Sequence, residues 1–157
     1  MSDDARARYF PWLRFLIPAA AAAVLLLSAG FAAPPAPAPA GQAQIERFDV
    51  KKGQVTDRIP ITAEMQQELR KLAQSASGSA GTFRIDPPDG TVLHFPLQPA
   101  VEIRQRGFFA LAAEAYLFLP ADREPYILFF SEENEPRLFG LKHPVNRLLA
   151  LCGWEEG

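Results

Sequence analysis

Residues 15–33, FLIPAAAAAVLLLSAGFAA, form one uncharged apolar run of 19 residues near the N-terminus. A helix rising about 1.5 Å per residue would carry such a run roughly 28 Å, close to the hydrocarbon thickness of a bilayer. Everything after it is therefore expected to be a domain delivered to a membrane. The flanks give the direction: Arg6, Arg8 and Arg14 precede the run, and no Lys or Arg follows before Arg47. By the positive-inside rule the tail 1–14 stays cytoplasmic and the C-terminal part is translocated. Tyr9, Phe10 and Trp12 stand beside Arg14 as interfacial anchors, and Pro18 lies near the start of the span, where a missing N–H costs least.

A cleaved signal peptide is the competing reading, because it shares the basic start and apolar centre. Its core would be Phe15–Leu27, with cleavage after Ala32 in Gly30-Phe31-Ala32 or after Ala40 in Ala38-Pro39-Ala40. The first site is a mediocre small-x-small match and the second lies well past the core, so the anchor is the preferred reading. The rival reading gives a secreted protein. Lipid attachment would need a cysteine just after the run, and the one cysteine is Cys152.

Residues 34–44, PPAPAPAGQAQ, carry no charge. Repeated Ala-Pro favours polyproline II, so this stretch reads as a semi-rigid spacer. Beyond it the chain carries 13 Lys or Arg against 16 Asp or Glu. That near-balance lacks the basic patch that nucleic acid would require. A single cysteine makes no internal disulfide, so the domain must be held by its core; Cys152, between Leu151 and Gly153, reads as a buried small hydrophobe.

The domain spans 45–157. IERFDV (45–50) and QVTDRIPI (54–61) read as strands around a KKG turn. Thr62 offers an N-cap with Glu64 in the first turn, and Met65, Leu69, Leu72, Ala73 and Ala76 recur at helical spacing, predicting a helix over 63–76. The Ser-rich stretch 75–81 ends it. TFRID (82–86) and TVLHFPL (91–97) flank the turn Pro87-Pro88-Asp89-Gly90, and AVEIR (100–104) alternates as a half-exposed strand. FFALAAEAYLFLP carries helix and strand signals together; strand is expected from about 113 to 119. PYILFF (125–130) and RLFGLK (137–142) form a hairpin around SEENEP, and Pro144 opens a short helix with Val145, Leu148, Leu149 and Cys152 on one face. The expected fold class is α+β: an N-terminal transmembrane helix, then a mostly antiparallel sheet packed with one main helix and a short C-terminal one.

No motif for catalysis, metal or cofactor is present. His94 and His143 lack any HxH, HxxxH or CxxC partner spacing. His94 reads as a sheet-surface residue, and His143, before Pro144, as exposed. No G-x-S-x-G or phosphate loop occurs. Four features remain as candidates for a functional surface. Glu132, Glu133 and Glu135 cluster as a cation site would, but they lack the D-x-D-x-D-G pattern, and three acids in a hairpin loop are usually a solvated turn. Glu114, a charge inside an apolar run, is expected to face outward opposite Arg104 or Arg106; the sharper alternative is a buried base. His94 would join Glu114 or the 132–135 acids in a hydrolase-like enzyme. Phe108 and Phe109, after Gly107, read either as core or as an exposed patch for a partner.

The tail PYILFFSEENEPRLFGL, with the apolar run ahead of it, resembles small uncharacterised single-pass membrane-anchored envelope proteins of endospore-forming Gram-positive bacteria. The resemblance implies a setting, the cell envelope, and brings no catalytic residue. The expectation is thus a non-catalytic domain, tethered through 15–33 with its C-terminal part outside the cell, that binds a protein or envelope component.

Overall fold

A computed structural model describes residues 42–78, 85–105 and 107–154. The tail, the apolar run and the spacer up to residue 41 lie outside these. Among the described residues no helix is long and apolar enough to cross a membrane.

The elements run β1 (Gln44–Asp49), β2 (Gln54–Pro60), α1 (Ala63–Gln74), β3 (Ala76–Ser77), β4 (Thr91–Gln105), β5 (Phe108–Leu119), β6 (Tyr126–Phe130), β7 (Pro136–Leu141) and α2 (Asn146–Leu151). The strands form one sheet in the order β2-β1-β4-β5-β6-β7-β3, antiparallel at every junction. The α+β expectation, an antiparallel sheet with two helices, holds.

Local chemistry sets the boundaries. The Thr62 hydroxyl accepts from the Met65 N–H at 3.2 Å, so α1 starts where its cap is. It stops at Gln74 rather than 76, because the Ser75 hydroxyl donates to the Leu72 carbonyl at 2.8 Å and Ala76 pairs with Leu141 in the sheet. The turn before β4 is as expected: Gly90 has φ +100°, and a Cβ there would lie 2.5 Å from the Leu119 carbonyl oxygen. Of the expected strand 82–86, Ile85 and Asp86 are not in a strand, and the rest lies outside the described residues.

Two further expectations are corrected. The stretches 91–97 and 100–104 are one strand, β4, because both pair with β5; the register slips between Pro96 and Val101, around the cis Gln98-Pro99 bond. The strand expected at 113–119 begins at Phe108, so the whole of 108–119 is extended. Ala and Leu prefer helix only weakly, and pairing with β4 overrides that preference.

Topology explains why both sheet faces are covered. α1 joins β2 and β3, which lie at opposite edges, so it crosses one face. Met65, Leu69, Leu72 and Ala73 pack there with Leu93, Phe95, Leu117, Ile127 and the α2 residues Leu148 and Leu149. The return from β3 to β4 brings Ile85 against a second cluster on the other face: Phe48, Val92, Tyr116, Phe118, Tyr126, Leu128 and Leu138. Phe118 and Tyr126 stack there with centroids 4.8 Å apart. Most of the described aromatic side chains are therefore core. Beyond Pro96 the β4–β5 hairpin extends past its neighbours, since β1 pairs β4 only over 91–94 and β6 pairs β5 only over 116–118. Along that projecting half the burial of β5 alternates residue by residue, so one face alone is covered.

Candidate functional site

The sheet brings His94 and Glu114 together on the face carrying the second cluster. Glu46 on β1 lies opposite His94 on β4. The Glu46 Oε2 is 3.3 Å from His94 Nδ1, and the Glu114 Oε2 on β5 is 2.9 Å from His94 Nε2. Arg58 on β2 donates to Glu46 Oε1 at 2.8 Å. One charged line, Arg58–Glu46–His94–Glu114, thus crosses four adjacent strands, and the Tyr116 ring stacks on the imidazole at 4.7 Å. Burial works against a charge on His94, whose side chain is 20 % exposed, but the hydrogen bonds and charges of Glu114 and Glu46 more than offset it and push the ring up to about 9. Burial likewise opposes ionisation of Glu46, and His94 and Arg58 outweigh it, holding the carboxyl below its usual value.

Glu114 therefore does not face outward opposite Arg104. Pro96 is its cross-strand partner, Arg104 lies opposite Phe109 with its guanidinium 4.9 Å from that ring, and Arg106 lies outside the described residues. With Gln105 opposite Phe108, Arg104 meets only Phe109 in this hairpin, and the slip further along β4 moves Glu114 from opposite Pro99 to opposite Pro96, beside His94; spacing alone does not reveal such a slip. An imidazolium has two N–H donors, and both here face carboxylates. Nothing is left on the ring to take or give a substrate proton, and the hollows described below are lined by other residues. The arrangement suits a clamp across β1, β4 and β5.

The remaining candidates gather at the projecting end. Phe108, Phe109, Glu132, Glu133 and Glu135 line one small hollow of about 190 Å³ with Arg137. The two phenylalanines part ways: Phe108 is buried against Phe139, while Phe109 is 45 % exposed. Leu111, two residues on, is 62 % exposed. The acids sit in the β6–β7 loop, where Asn134 takes φ 64° and Ser131 and Glu135 close the turn at 2.9 Å. They do not join His94. Among the described residues no group of three or more His, Cys, Asp or Glu could hold a metal ion.

A second histidine–carboxylate pair was not foreseen. Glu68, in the middle of α1, is 1 % exposed. Its Oε1 accepts a short hydrogen bond from His143 Nε2, and its Oε2 lies 3.3 Å from the Lys71 ammonium and 3.8 Å from Arg147. Burial opposes the Glu68 charge, yet His143 and Lys71 hold its carboxyl below the usual value. His143 is thus not exposed at a helix start: its side chain is 32 % exposed and anchored to α1. It also lines an open groove of about 620 Å³ between residues 120–125 and 140–146. A signal for Glu68 did exist, since its position falls between Met65 and Leu69 on the apolar stripe of α1.

Cys152 is buried beneath α2, and burial pushes its thiol up to about 11, far from a reactive thiolate. Compared with known protein families, curated proteins and solved structures, the chain matches none of them.

Proposed function

We propose that this chain is a non-catalytic binding domain, tethered by residues 15–33 outside the cell membrane, that docks an extended segment of another envelope protein on its β4–β5 hairpin. One observation carries the reading. Among the described residues the outer edge of β5 over 108–115 pairs with no strand, and β5 presents there Phe109 and Leu111, the two large apolar side chains exposed among those residues. Natural edge strands are usually blunted with Lys, Pro or a covering loop. Gly107 to Ala113 carries neither charge nor proline. An added strand would complete the ladder there and lay its alternate side chains on Phe109 and Leu111.

Chain direction fits this geometry. β1 runs antiparallel to β4, so its first residue, Gln44, lies toward the same end of the sheet as the projecting hairpin. A partner held close to the membrane would meet the hairpin first. Two measurements test the reading on the full chain in intact cells. Externally added protease is expected to digest the domain; its protection would refute the outside placement. A photo-crosslinking residue at position 109 is expected to yield a discrete adduct that Leu111→Lys abolishes. Adducts no different from those formed at position 51 would overturn the docking surface. Mass measurement of the mature chain separates the anchored protein from a secreted one with residues 15–33 removed.

A further inference from the structure

The groove beside His143 has no part in strand docking; β5 and β7 both run away from the projecting end to reach it. Its walls are stiff, with Pro120, Pro125 and Pro144 on the lining. Its charges are uneven. Arg123, Lys142 and His143 line it against the single carboxylate of Glu124. The Arg123 guanidinium already grips Asp122, with Nε 3.1 Å from Oδ1 and Nη2 3.2 Å from Oδ2. Lys142 has no carboxylate partner among the described residues, and its backbone is fixed by the bond from its N–H to the Ser75 carbonyl at 3.2 Å. Glu68 takes His143 through Nε2 alone, so Nδ1 is the ring nitrogen left for a ligand.

A carboxylate on the apolar face of a helix is costly unless paired. Here that group fixes one edge of an imidazole whose other nitrogen is uncommitted, in a groove that Lys142 also lines. From this we infer that the groove is a binding site for a small oxyanion, a phosphate or carboxylate group, held by the Lys142 ammonium and by the Nδ1–H of His143 in its imidazolium form, the form that donates from Nε2 to Glu68 and from Nδ1 to the ligand together. Glu68 is the positioning residue behind it. Glu124 is the one group on the lining that opposes the ligand.

The chain has only two histidines, so imidazole resonances test this directly with an internal reference. The full chain, labelled at histidine Cε1 and held in nanodiscs of zwitterionic lipid, is titrated with inorganic phosphate and separately with acetate, against chloride at equal ionic strength. A saturable shift of His143 with His94 unmoved is expected. Saturation by phosphate alone names a phosphate-bearing ligand, and saturation by both names any oxyanion. Lys142→Gln is expected to weaken binding about fivefold, the effect of one exposed charge contact. Glu124→Gln should tighten it about twofold. Both positions are exposed, so neither variant threatens the fold. A drift of His143 no different from that in chloride would overturn the site, as would an unchanged curve for Lys142→Gln.

Discussion

His94 and His143 are the two histidines of this chain, and the fold treats them oppositely. His94 stands mid-sheet with both ring nitrogens committed, one to Glu46 and one to Glu114. His143 stands at the rim of a groove with one nitrogen committed to Glu68. The first can only hold strands together; the second is held, and keeps a polar atom to spare. Counting the occupied ring nitrogens therefore separates a fastener from a handle more reliably than burial or proximity to acids.

The largest effect should come from breaking the fastener. His94→Ala leaves the Glu46 and Glu114 carboxylates facing each other, largely shielded from water and without their shared cation, at a cost of about 3 kcal/mol. Denaturant unfolding at pH 6 measures it, and a loss below about 1 kcal/mol would mean the line is ornamental. The pH profile has a fixed sign. The folded ring sits at about 9 against an ordinary 6.5. Its contribution is thus complete below pH 6.5 and is lost as pH rises through 9, roughly 3 kcal/mol in all. The melting temperature should fall across that window, and His94→Ala should abolish the fall; a slope that survives the substitution belongs to some other group.

An intermediate effect is expected at Glu68. Glu68→Gln keeps shape but removes the charge shared by His143, Lys71 and Arg147, costing about 1–2 kcal/mol because those partners remain partly solvated. Its carboxyl is held below 4.5, so this contribution is present above that pH and disappears as pH falls beneath it. Acid unfolding of the wild type should be steeper there than that of the variant; identical acid limbs would contradict the pairing. The smallest effect is expected for His143→Asn, about 1 kcal/mol, because Asn keeps a donor for the buried Glu68 carboxylate and Lys71 and Arg147 still face it. A loss matching that of His94→Ala would erase the distinction between the two histidines.

Much of the fold was legible in the residues. Thr62 capping α1, the glycine turn at Gly90, the β6–β7 hairpin and the apolar face of α2 all follow from local chemistry that acts within a few positions. What escaped depended on contacts distant in sequence. The pairing of Gln105 with Phe108 leaves Arg104 opposite Phe109, and the slip in β4 brings Glu114 beside His94 rather than opposite Pro99; no periodicity within either strand encodes that slip. His143 was misjudged because its partner lies on α1, although Glu68 on the apolar stripe was a visible anomaly. Phe108 and Phe109 illustrate the limit well: adjacent and identical, they divide between core and solvent by the strand period alone.

The charged line across β2, β1, β4 and β5 has a mechanical meaning. β1 is an interior strand, and its first residue, Gln44, lies toward the end where the β4–β5 hairpin projects. Tension applied between that end of β1 and anything gripping the hairpin would shear β1 along β4. The Glu46–His94–Glu114 bridges sit on this seam and resist sliding as rivets do, leaving β6, β7 and α2 out of the load path. A domain built this way could be tugged at one end without disturbing the groove at the other.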